Sequence, residues 1–182
     1  MRYLFAPLAA LLFLGSVAQT SFDREVILEV DSTTPASTLQ AAARKWFVDT
    51  FKDAKEVIQM DDEATNTIVG KGLSKPDPNF GLHYTIEVAS KKGRARIRLY
   101  NVHHEGIGGT TVGTSYQPYL SWGALVDEPE CYSLPQDKPS FVKQRLKRCE
   151  FIRPTVSSSI NELVLSLETA LKSASSQPSN DW

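Results

Sequence analysis

Two adjacent segments in which apolar and polar residues alternate constrain the fold of this chain more than any other feature. From residue 80 to 89 every second side chain is apolar, and the same holds for residues 94–99, where arginines fill the other positions. A period of two is typical of β-strands with one buried face. A tight turn at residues 92–93 predicts an antiparallel hairpin, and in that register Glu87 faces Arg98.

A sheet with one apolar face needs a cover, and two helical stripes supply it. Residues 36–53 and 158–174 each place apolar side chains at helical spacing along one side. Further strands are predicted at residues 25–31, 57–60 and 67–72. We therefore predict an α+β fold, an antiparallel β-sheet with two helices packed on one face, in the order β-α-β-β-β-β-α.

The first predicted helix carries a cluster of three aromatic residues, Trp46, Phe47 and Phe51. All three lie on the apolar stripe, so we predict that they belong to the core. The alternative is the lining of a functional cavity, but aromatic stripes at helical spacing usually supply buried area.

The start of the chain has the layout of a cleavable signal peptide. Arg2 precedes an apolar run over residues 4–14, and the small residues Ser16 and Ala18 follow two positions apart. This pattern predicts a signal peptide over residues 1–18 that is cleaved after Ala18. The run is shorter than the ~20 residues that a membrane-spanning helix needs. We expect an exported protein, periplasmic or extracellular, without a transmembrane span.

The two cysteines and the net charge give further information about the kind of protein and its partners. Cys131 and Cys149 are the only cysteines, and an even pair in an exported chain predicts a disulfide, with two free thiols as the alternative. The net charge of −1 gives no electrostatic case for nucleic acid as a partner.

The chain divides into segments of different character. Residues 24–105 form the predicted domain core, and residues 106–156 an irregular segment rich in glycine and proline, with one short helix predicted at 140–149. Residues 157–174 form a C-terminal helix that packs on the same domain, and residues 175–182 a disordered tail.

The sequence of the core resembles a known family. The runs KWFVDTFKDAKEVIQMDDEATNTIVGKG and HYTIEVASKKGRARIRLYNV are similar to the domain-of-unknown-function 4468 family, exported proteins of Gram-negative bacteria with a fold like that of the TATA-binding protein. The marks of the resemblance are Trp46 with Phe47, Val57 with Ile58, the segment from Ile68 to Gly72, and the strand that begins at Tyr84. Asn66 stands where the family pattern favours glycine. The resemblance implies a fold and an export route, and likeness to a DNA-binding fold does not transfer DNA binding.

The sequence HHEG, which begins at His103, is the sharpest candidate for chemistry together with His83. In the predicted register His103 lies opposite Leu82, so His104 shares the face of His83 and His103 does not. A metal ion would need Glu105 as a third ligand, and a hydrolase would need the same histidines beside a carboxylate. No recognisable ligand spacing supports either one. We predict no metal site, no cofactor and no catalytic residue.

A basic stripe is predicted on the outward face of the hairpin, formed by Arg94, Arg96 and Arg98 with Lys91 and Lys92. The functional interpretation is a site for an anionic ligand, such as an envelope polysaccharide, a lipid headgroup or an acidic peptide. The simpler interpretation is a solvated sheet face with cross-strand ion pairs.

No other motif indicates a reaction. The run GIGGTTVGTS lacks the Lys and Ser/Thr that complete a phosphate-binding loop, and no Gly-x-Ser-x-Gly elbow is present. We therefore predict an exported, non-catalytic domain that binds an envelope component or a protein partner. The alternatives are a small hydrolase or metal-binding protein that uses His103 and His104, or a purely structural envelope subunit.

Overall fold

The computed structural model of the chain describes residues 22–51, 53–118, 123–124 and 139–176. Its elements are, in chain order, β1 (Arg24–Glu29), α1 (Ala36–Thr50), α2 (Ala54–Val57), β2 (Ile58–Asp62), β3 (Thr67–Asp77), β4 (Phe80–Lys91), β5 (Arg94–Gly106), β6 (Gly109–Val112), β7 (Ser115–Pro118), β8 (Gly123–Ala124) and α3 (Pro139–Ser176). The predicted signal peptide, Cys131 and the chain after residue 176 lie outside the described residues, so the signal peptide and the disulfide stay predictions.

The main sheet is antiparallel with the strand order β1-β5-β4-β3-β2, and β8 pairs with β5 near one end. Helix α1 contacts β3, β4 and β5, while α3 contacts β3, β5 and α1. Several strand residues that point toward these helices, among them Ile68, Val88 and Ile97, are fully buried. Both helices therefore cover the same face, and the predicted α+β architecture is confirmed. Strands β6 and β7 form a separate two-stranded hairpin.

The β4–β5 hairpin has the predicted register near its turn. Glu87 pairs with Arg98 across the two strands. Gly93 takes the left-handed conformation that the turn requires, with φ 72°. Its N–H donates to the Thr34 carbonyl and its carbonyl accepts from the Val30 N–H, each at 3.0 Å. The turn is thus fixed against the connection between β1 and α1.

The aromatic cluster of α1 is part of the core, as predicted. The Trp46 and Phe47 rings meet edge to face with centroids 5.2 Å apart, and Phe47 stacks on Phe51 at 5.9 Å. Trp46 is 6% exposed and Phe47 is fully buried. The Trp46 indole N–H also donates to the Ser166 Oγ at 3.0 Å, which joins α1 to α3. These rings therefore hold the two helices to each other and to the sheet.

Two glycines of β3 make room for rings on the covered face. A methyl group at Gly70 would come within 2.4 Å of Phe47 Cε1, and one at Gly72 within 2.3 Å of Tyr84 Cε2. Real side chains do not approach this closely, so the missing Cβ at each position lets the edge of a ring come close to the strand backbone. The segment that marks the family resemblance is thus explained by packing.

Helix α3 corrects the prediction for the end of the chain. The helix begins at Pro139 instead of residue 157, and it includes both the short helix predicted at 140–149 and the segment between them. Pro154 lies inside it, although proline usually ends or kinks a helix. Ile152, Val156 and Ile160 are buried at a spacing of four residues across this point. Burial of that stripe outweighs the local preference of proline.

A polar network ties α1 to the β2–β3 turn. The buried Gln40 amide donates to Asp61 Oδ1 at 2.8 Å and to the Asp62 carbonyl at 3.1 Å. Arg44 forms two hydrogen bonds with the Asp61 carboxylate, and they hold the pKa of Asp61 below its usual value. Asn66 completes the turn with φ 51°, as expected of an asparagine in a left-handed position. The acidic residues of this turn therefore have a structural role.

Helix α1 is shorter than predicted. It ends at Thr50 instead of residue 53.

Tyr84 is the buried polar residue with the clearest consequence for stability. It is 2% exposed, and its hydroxyl has no hydrogen-bond partner among the residues that the structure describes. Burial raises the pKa of Tyr84 to about 12, and the nearby Ser74 hydroxyl opposes this rise without reaching hydrogen-bond geometry. The unfolded chain releases this proton at the ordinary value of about 10. The neutral Tyr84 side chain therefore makes its full contribution to folding stability below about pH 10. This contribution is lost as the pH rises toward about 12, because the unfolded chain then releases the proton more readily than the folded protein.

We expect the Tyr84→Phe variant to be within about 1 kcal/mol of the original protein at neutral pH, because the lost hydroxyl makes no hydrogen bond within the described part of the chain. In a base titration followed by phenolate absorbance, the original protein should show a late phase near pH 12 that the variant lacks. Urea unfolding at neutral pH gives the stability. A loss of several kcal/mol in Tyr84→Phe, or the same titration curve for both proteins, would contradict this account.

Candidate functional site

The face of the sheet opposite α1 and α3 is here called the outer sheet face. It carries the side chains of Glu25 and Ile27 on β1, Arg96, Arg98, Tyr100 and His103 on β5, His83, Thr85 and Glu87 on β4, and Lys71 and Leu73 on β3. Within the described part of the chain no helix covers this face. The candidate site residues that can reach a partner are therefore found here.

A ladder of ion pairs crosses the middle of the outer sheet face. Arg98 lies 3.2 Å from a Glu25 carboxylate oxygen and 3.7 Å from one of Glu87, and Arg96 lies 2.9 Å from the other Glu87 oxygen. The Arg98 guanidinium also stands 5.2 Å from the centre of the Tyr100 ring. Two of the three arginines predicted to meet an anion already have carboxylate partners. The Glu87 side chain is only 17% exposed, so it depends on these arginines more than they depend on it.

The turn end of the hairpin has a different character. Lys91, Lys92 and Arg94 are exposed, and the structure records no ion pair for any of them among the described residues. The hydrogen bonds of Gly93 hold the turn in place. Of the five basic residues predicted from the sequence, these three form a fixed cationic group that is open to a partner.

A β-bulge overturns the predicted geometry of the histidines. The register shifts by one residue at Asn101, which has φ 56°, so that His83 pairs with His103 and Leu82 pairs with His104. The prediction that His104 shares the outer sheet face with His83 is therefore wrong. Bulges re-aim side chains in this way, and asparagine tolerates the left-handed conformation better than most residues.

The bulge brings two imidazole rings together on the outer sheet face. The rings of His83 and His103 are stacked, with centroids 4.7 Å apart and planes 5° from parallel. His83 Nε2 is hydrogen-bonded to Glu105 Oε2 at 2.5 Å. His103 Nδ1 lies 3.1 Å from the Asn101 carbonyl oxygen. A carbonyl only accepts, so His103 carries its proton on Nδ1 and, when neutral, has a free lone pair on Nε2.

An open depression of about 530 Å³ lies beside this histidine pair. Lys71, Thr85 and Asn101 contribute to its lining together with both histidines. Lys71 is exposed on β3, whereas Thr85 is buried. The depression is thus bounded by ionisable side chains from three neighbouring strands.

His104 belongs to the covered side of the sheet. It is 5% exposed, and its ring centre lies 4.3 Å from that of Phe80. It therefore has no part in the surface around His83 and His103, and the hydrolase or metal site proposed for His103 with His104 is not formed by these two residues.

The surface histidines show no arrangement of a hydrolase. The hydrogen bonds of the pair go to a carboxylate and a backbone carbonyl, and neither ring meets a Ser, Thr or Cys nucleophile within the described residues. In the same residues no three His, Cys, Asp or Glu side chains stand in place to hold a metal ion. No helix of the described chain is long and apolar enough to cross a membrane.

The sequence could have revealed the bulge. The inward-facing apolar residues of β5 follow the two-residue period through Ala95, Ile97 and Leu99, and the next one is Val102, three positions on. One extra residue in the period indicates a bulge. Asparagine inside an otherwise regular strand is a second indication, because this residue is depleted in strands.

An antiparallel sheet with two helices on one face, and with no helix on the other face among the described residues, defines an α+β domain with a fold like that of the TATA-binding protein. Residues 25–105 match the family described as "Domain of unknown function (DUF4468) with TBP-like fold", so this part of the chain is similar to that family. The resemblance drawn from the sequence is confirmed. No catalytic activity is indicated for this family.

Solved structures share the fold. A TBP-like protein from Parabacteroides distasonis ATCC 8503 superposes with a TM-score of 0.54 at 9% identity, covering 82% of this chain and 92% of that one. A DUF4468 family protein from Bacteroides ovatus ATCC 8483 gives a TM-score of 0.53 at 15% identity, covering 86% of this chain and 89% of that one. These similarities concern the fold alone. A comparison with curated protein sequences finds no match.

Proposed function

We propose that this protein is an exported, non-catalytic binding domain that recognises an acidic protein partner through the outer sheet face. The observation that carries the proposal is the cationic group of Lys91, Lys92 and Arg94, which is exposed on a turn fixed to the rest of the domain. Charged groups of one sign on a firm surface speed the encounter with a partner of the opposite sign and fix its orientation.

The ion-pair ladder supports a role in orientation. Its arginines and carboxylates alternate across the strands, so a partner that lies across the sheet meets both signs in a fixed order. Exposed apolar side chains on the same sheet, Ile27 at 54%, Met60 at 43% and Leu73 at 41%, offer contact area beside these charges. An envelope component that presents phosphate or carboxylate groups shares the relevant chemistry.

The test compares two triple variants that remove the same charge from opposite sides of the domain. Lys91→Gln with Lys92→Gln and Arg94→Gln alters the cationic group, whereas Lys45→Gln with Lys55→Gln and Lys172→Gln alters the helices. Poly-L-glutamate and vesicles that contain an anionic phospholipid serve as probes. We expect the hairpin variant to bind poly-L-glutamate at least about fivefold more weakly at low ionic strength, with the difference shrinking near ~1 M salt.

The control variant should bind as the original protein does. Equal losses in both variants would show that binding follows net charge alone and would contradict the proposed surface. Unchanged binding in the hairpin variant would favour a purely structural envelope subunit. Binding to the vesicles alone would identify a lipid headgroup as the partner. Arg96 and Arg98 are left in place because their removal would strand Glu87 and confuse binding with stability.

Export and the disulfide are parts of the same proposal, and one mass measurement tests both. We expect the protein recovered from the periplasm or the medium to begin at Gln19, because the signal pattern predicts cleavage after Ala18. Without reductant its mass should be lower by two hydrogens than after reduction, because Cys131 and Cys149 are expected to be bonded. Full-length protein in the cytoplasm, or thiols that react with alkylating reagent before reduction, would contradict the respective part.

A further inference from the structure

We propose that the free edge of strand β1 is a docking site for an extended, basic segment of a partner protein, which adds one more strand to the main sheet. β1 is the last strand on its side of the sheet, and within the described residues only β5 pairs with it. Extended segments bind in this way because the backbone groups of an edge strand are open to a new neighbour. The edge is separate from the cationic group at the hairpin turn, so this inference goes beyond the proposed function and can fail without it.

The backbone of β1 presents every second residue to the free edge. The Val30 N–H, just past the end of the strand, donates to the Gly93 carbonyl at 3.0 Å. The backbone groups of an antiparallel strand point alternately to one neighbour and to the other, so the even-numbered residues of β1 are the ones bonded to β5. The odd-numbered residues point their N–H and C=O groups away from β5: Glu25, Ile27 and Glu29.

The same three residues give the edge its chemical character. Their side chains lie on the outer sheet face, where Ile27 is 54% exposed and both glutamates are exposed as well. Glu25 contacts Arg98 through Oε2 at 3.2 Å, and the described residues supply no ion pair to Glu29. A carboxylate has room for more than one donor. The edge thus presents an acidic, an apolar and an acidic side chain in a row.

These charges favour a basic partner over a second copy of this chain. Two copies of β1 paired antiparallel about Ile27 would place each Glu25 opposite a Glu29, and like charges directly opposite each other are destabilising. A segment with basic residues four positions apart and an apolar residue midway meets both carboxylates and Ile27 at once. On the covered face Val26 is only partly buried, so apolar residues at the intervening positions add to the core. The expected pattern of the segment is basic, apolar, apolar, apolar, basic.

Short peptides test this pattern directly. The peptide Thr-Lys-Val-Val-Val-Lys-Thr has its lysines four apart, and Thr-Val-Lys-Val-Lys-Val-Thr has the same composition with lysines two apart, so that only one lysine can face a glutamate of the edge. Both peptides, with blocked ends, are titrated into the protein at low ionic strength, and the backbone amides are followed by NMR. We expect the first peptide to bind at least about fivefold more tightly. At saturation it should slow hydrogen exchange of the Glu25, Ile27 and Glu29 amides at least about tenfold, because a new strand takes them out of solvent.

Ile27→Pro tests the backbone contact. It removes the central outward N–H, and proline is accepted in an edge strand where the N–H faces solvent. We expect the affinity for the first peptide to fall at least about fivefold while the far-UV circular dichroism spectrum stays the same. Ile27→Thr is the matched control, because it keeps the N–H and a β-branched side chain, and it should bind within about twofold of the original protein.

Glutamine variants test the charges. Glu25→Gln with Glu29→Gln should lower the affinity about fivefold at low ionic strength, and Arg98 keeps its contact with Glu87 in this variant. The same changes at Glu162 and Glu168 of α3 should leave the affinity unchanged. Equal affinity for the two peptides, binding without slower exchange at the three outward amides, or the absence of saturable binding would overturn the proposal. A dimer in sedimentation equilibrium that Ile27→Pro abolishes would overturn it as well, because a second copy would then occupy the edge.

Discussion

Trp46→Ala is expected to lower the free energy of unfolding by about 3–5 kcal/mol, the usual cost of removing a buried aromatic side chain. The indole is 6% exposed and packs edge to face on Phe47 and Phe51, so its loss leaves a cavity between α1 and α3. It also removes the hydrogen bond to Ser166. Most domains of this size are stable by about 5–15 kcal/mol, so the variant loses a large part of its margin.

Urea unfolding followed by far-UV circular dichroism measures this loss. Val48→Ala is the matched control on the same helix, because Val48 is 55% exposed, and we expect a change of at most about 0.5 kcal/mol. Trp46→Phe keeps an aromatic ring but removes the hydrogen bond to Ser166. Its loss of unfolding free energy should lie between those of Trp46→Ala and Val48→Ala. A Trp46→Ala protein within about 0.5 kcal/mol of the original would show that the cluster does not hold the helices together.

The covered side of the sheet can be predicted from the sequence because buried residues recur at regular spacing along each strand and helix. Apolar residues two apart between Phe80 and Leu99, and apolar stripes at helical spacing in α1 and α3, require one buried layer. The start of α3 was missed for a physical reason: Pro154 disfavours a helix locally, and only the packed structure shows that burial of Val156 and its neighbours prevails. The sequence shows the local conformational preference of a residue such as Pro154. It does not show the tertiary contacts with distant residues that can outweigh this preference.

The arrangement of side chains on the outer sheet face is harder to predict from the sequence. Which side chains meet there depends on the register in which neighbouring strands pair. The pairing of Glu87 with Arg98 follows from the turn, and the structure has it. The facing of His83 and His103 depends on one extra residue at Asn101, and a shift by one residue moves every later side chain to the other face. A register extrapolated from the hairpin turn is therefore wrong by one residue for every position beyond the bulge, and His83 and His103 lie beyond it.

Gly70→Ala is the second change for which we expect a large effect, a loss of about 1–3 kcal/mol from overpacking. The new methyl group would lie 2.4 Å from Phe47 Cε1 and 2.9 Å from Cζ of the same ring. Phe47 is fully buried and confined between Trp46 and Phe51, so the ring has no free space to enter. Alanine is otherwise preferred over glycine in a strand by about 0.5–1 kcal/mol, and that gain offsets only part of the collision.

A double-mutant cycle decides whether the ring is the cause. Phe47→Leu removes the two ring atoms nearest to Gly70, so Gly70→Ala should cost less in that background than in the original protein, by at least about 1 kcal/mol. Lys71→Ala, which adds no atom and points to the outer sheet face of the same strand, is the control and should change stability by at most about 0.5 kcal/mol. If Gly70→Ala costs the same with and without the ring, the glycine serves the backbone of β3 and not the packing of α1. If the cost falls as expected, the glycine in this strand and the aromatic residue in α1 are two halves of one contact, which explains why a small residue and a large one, separated along the chain, specify the same fold.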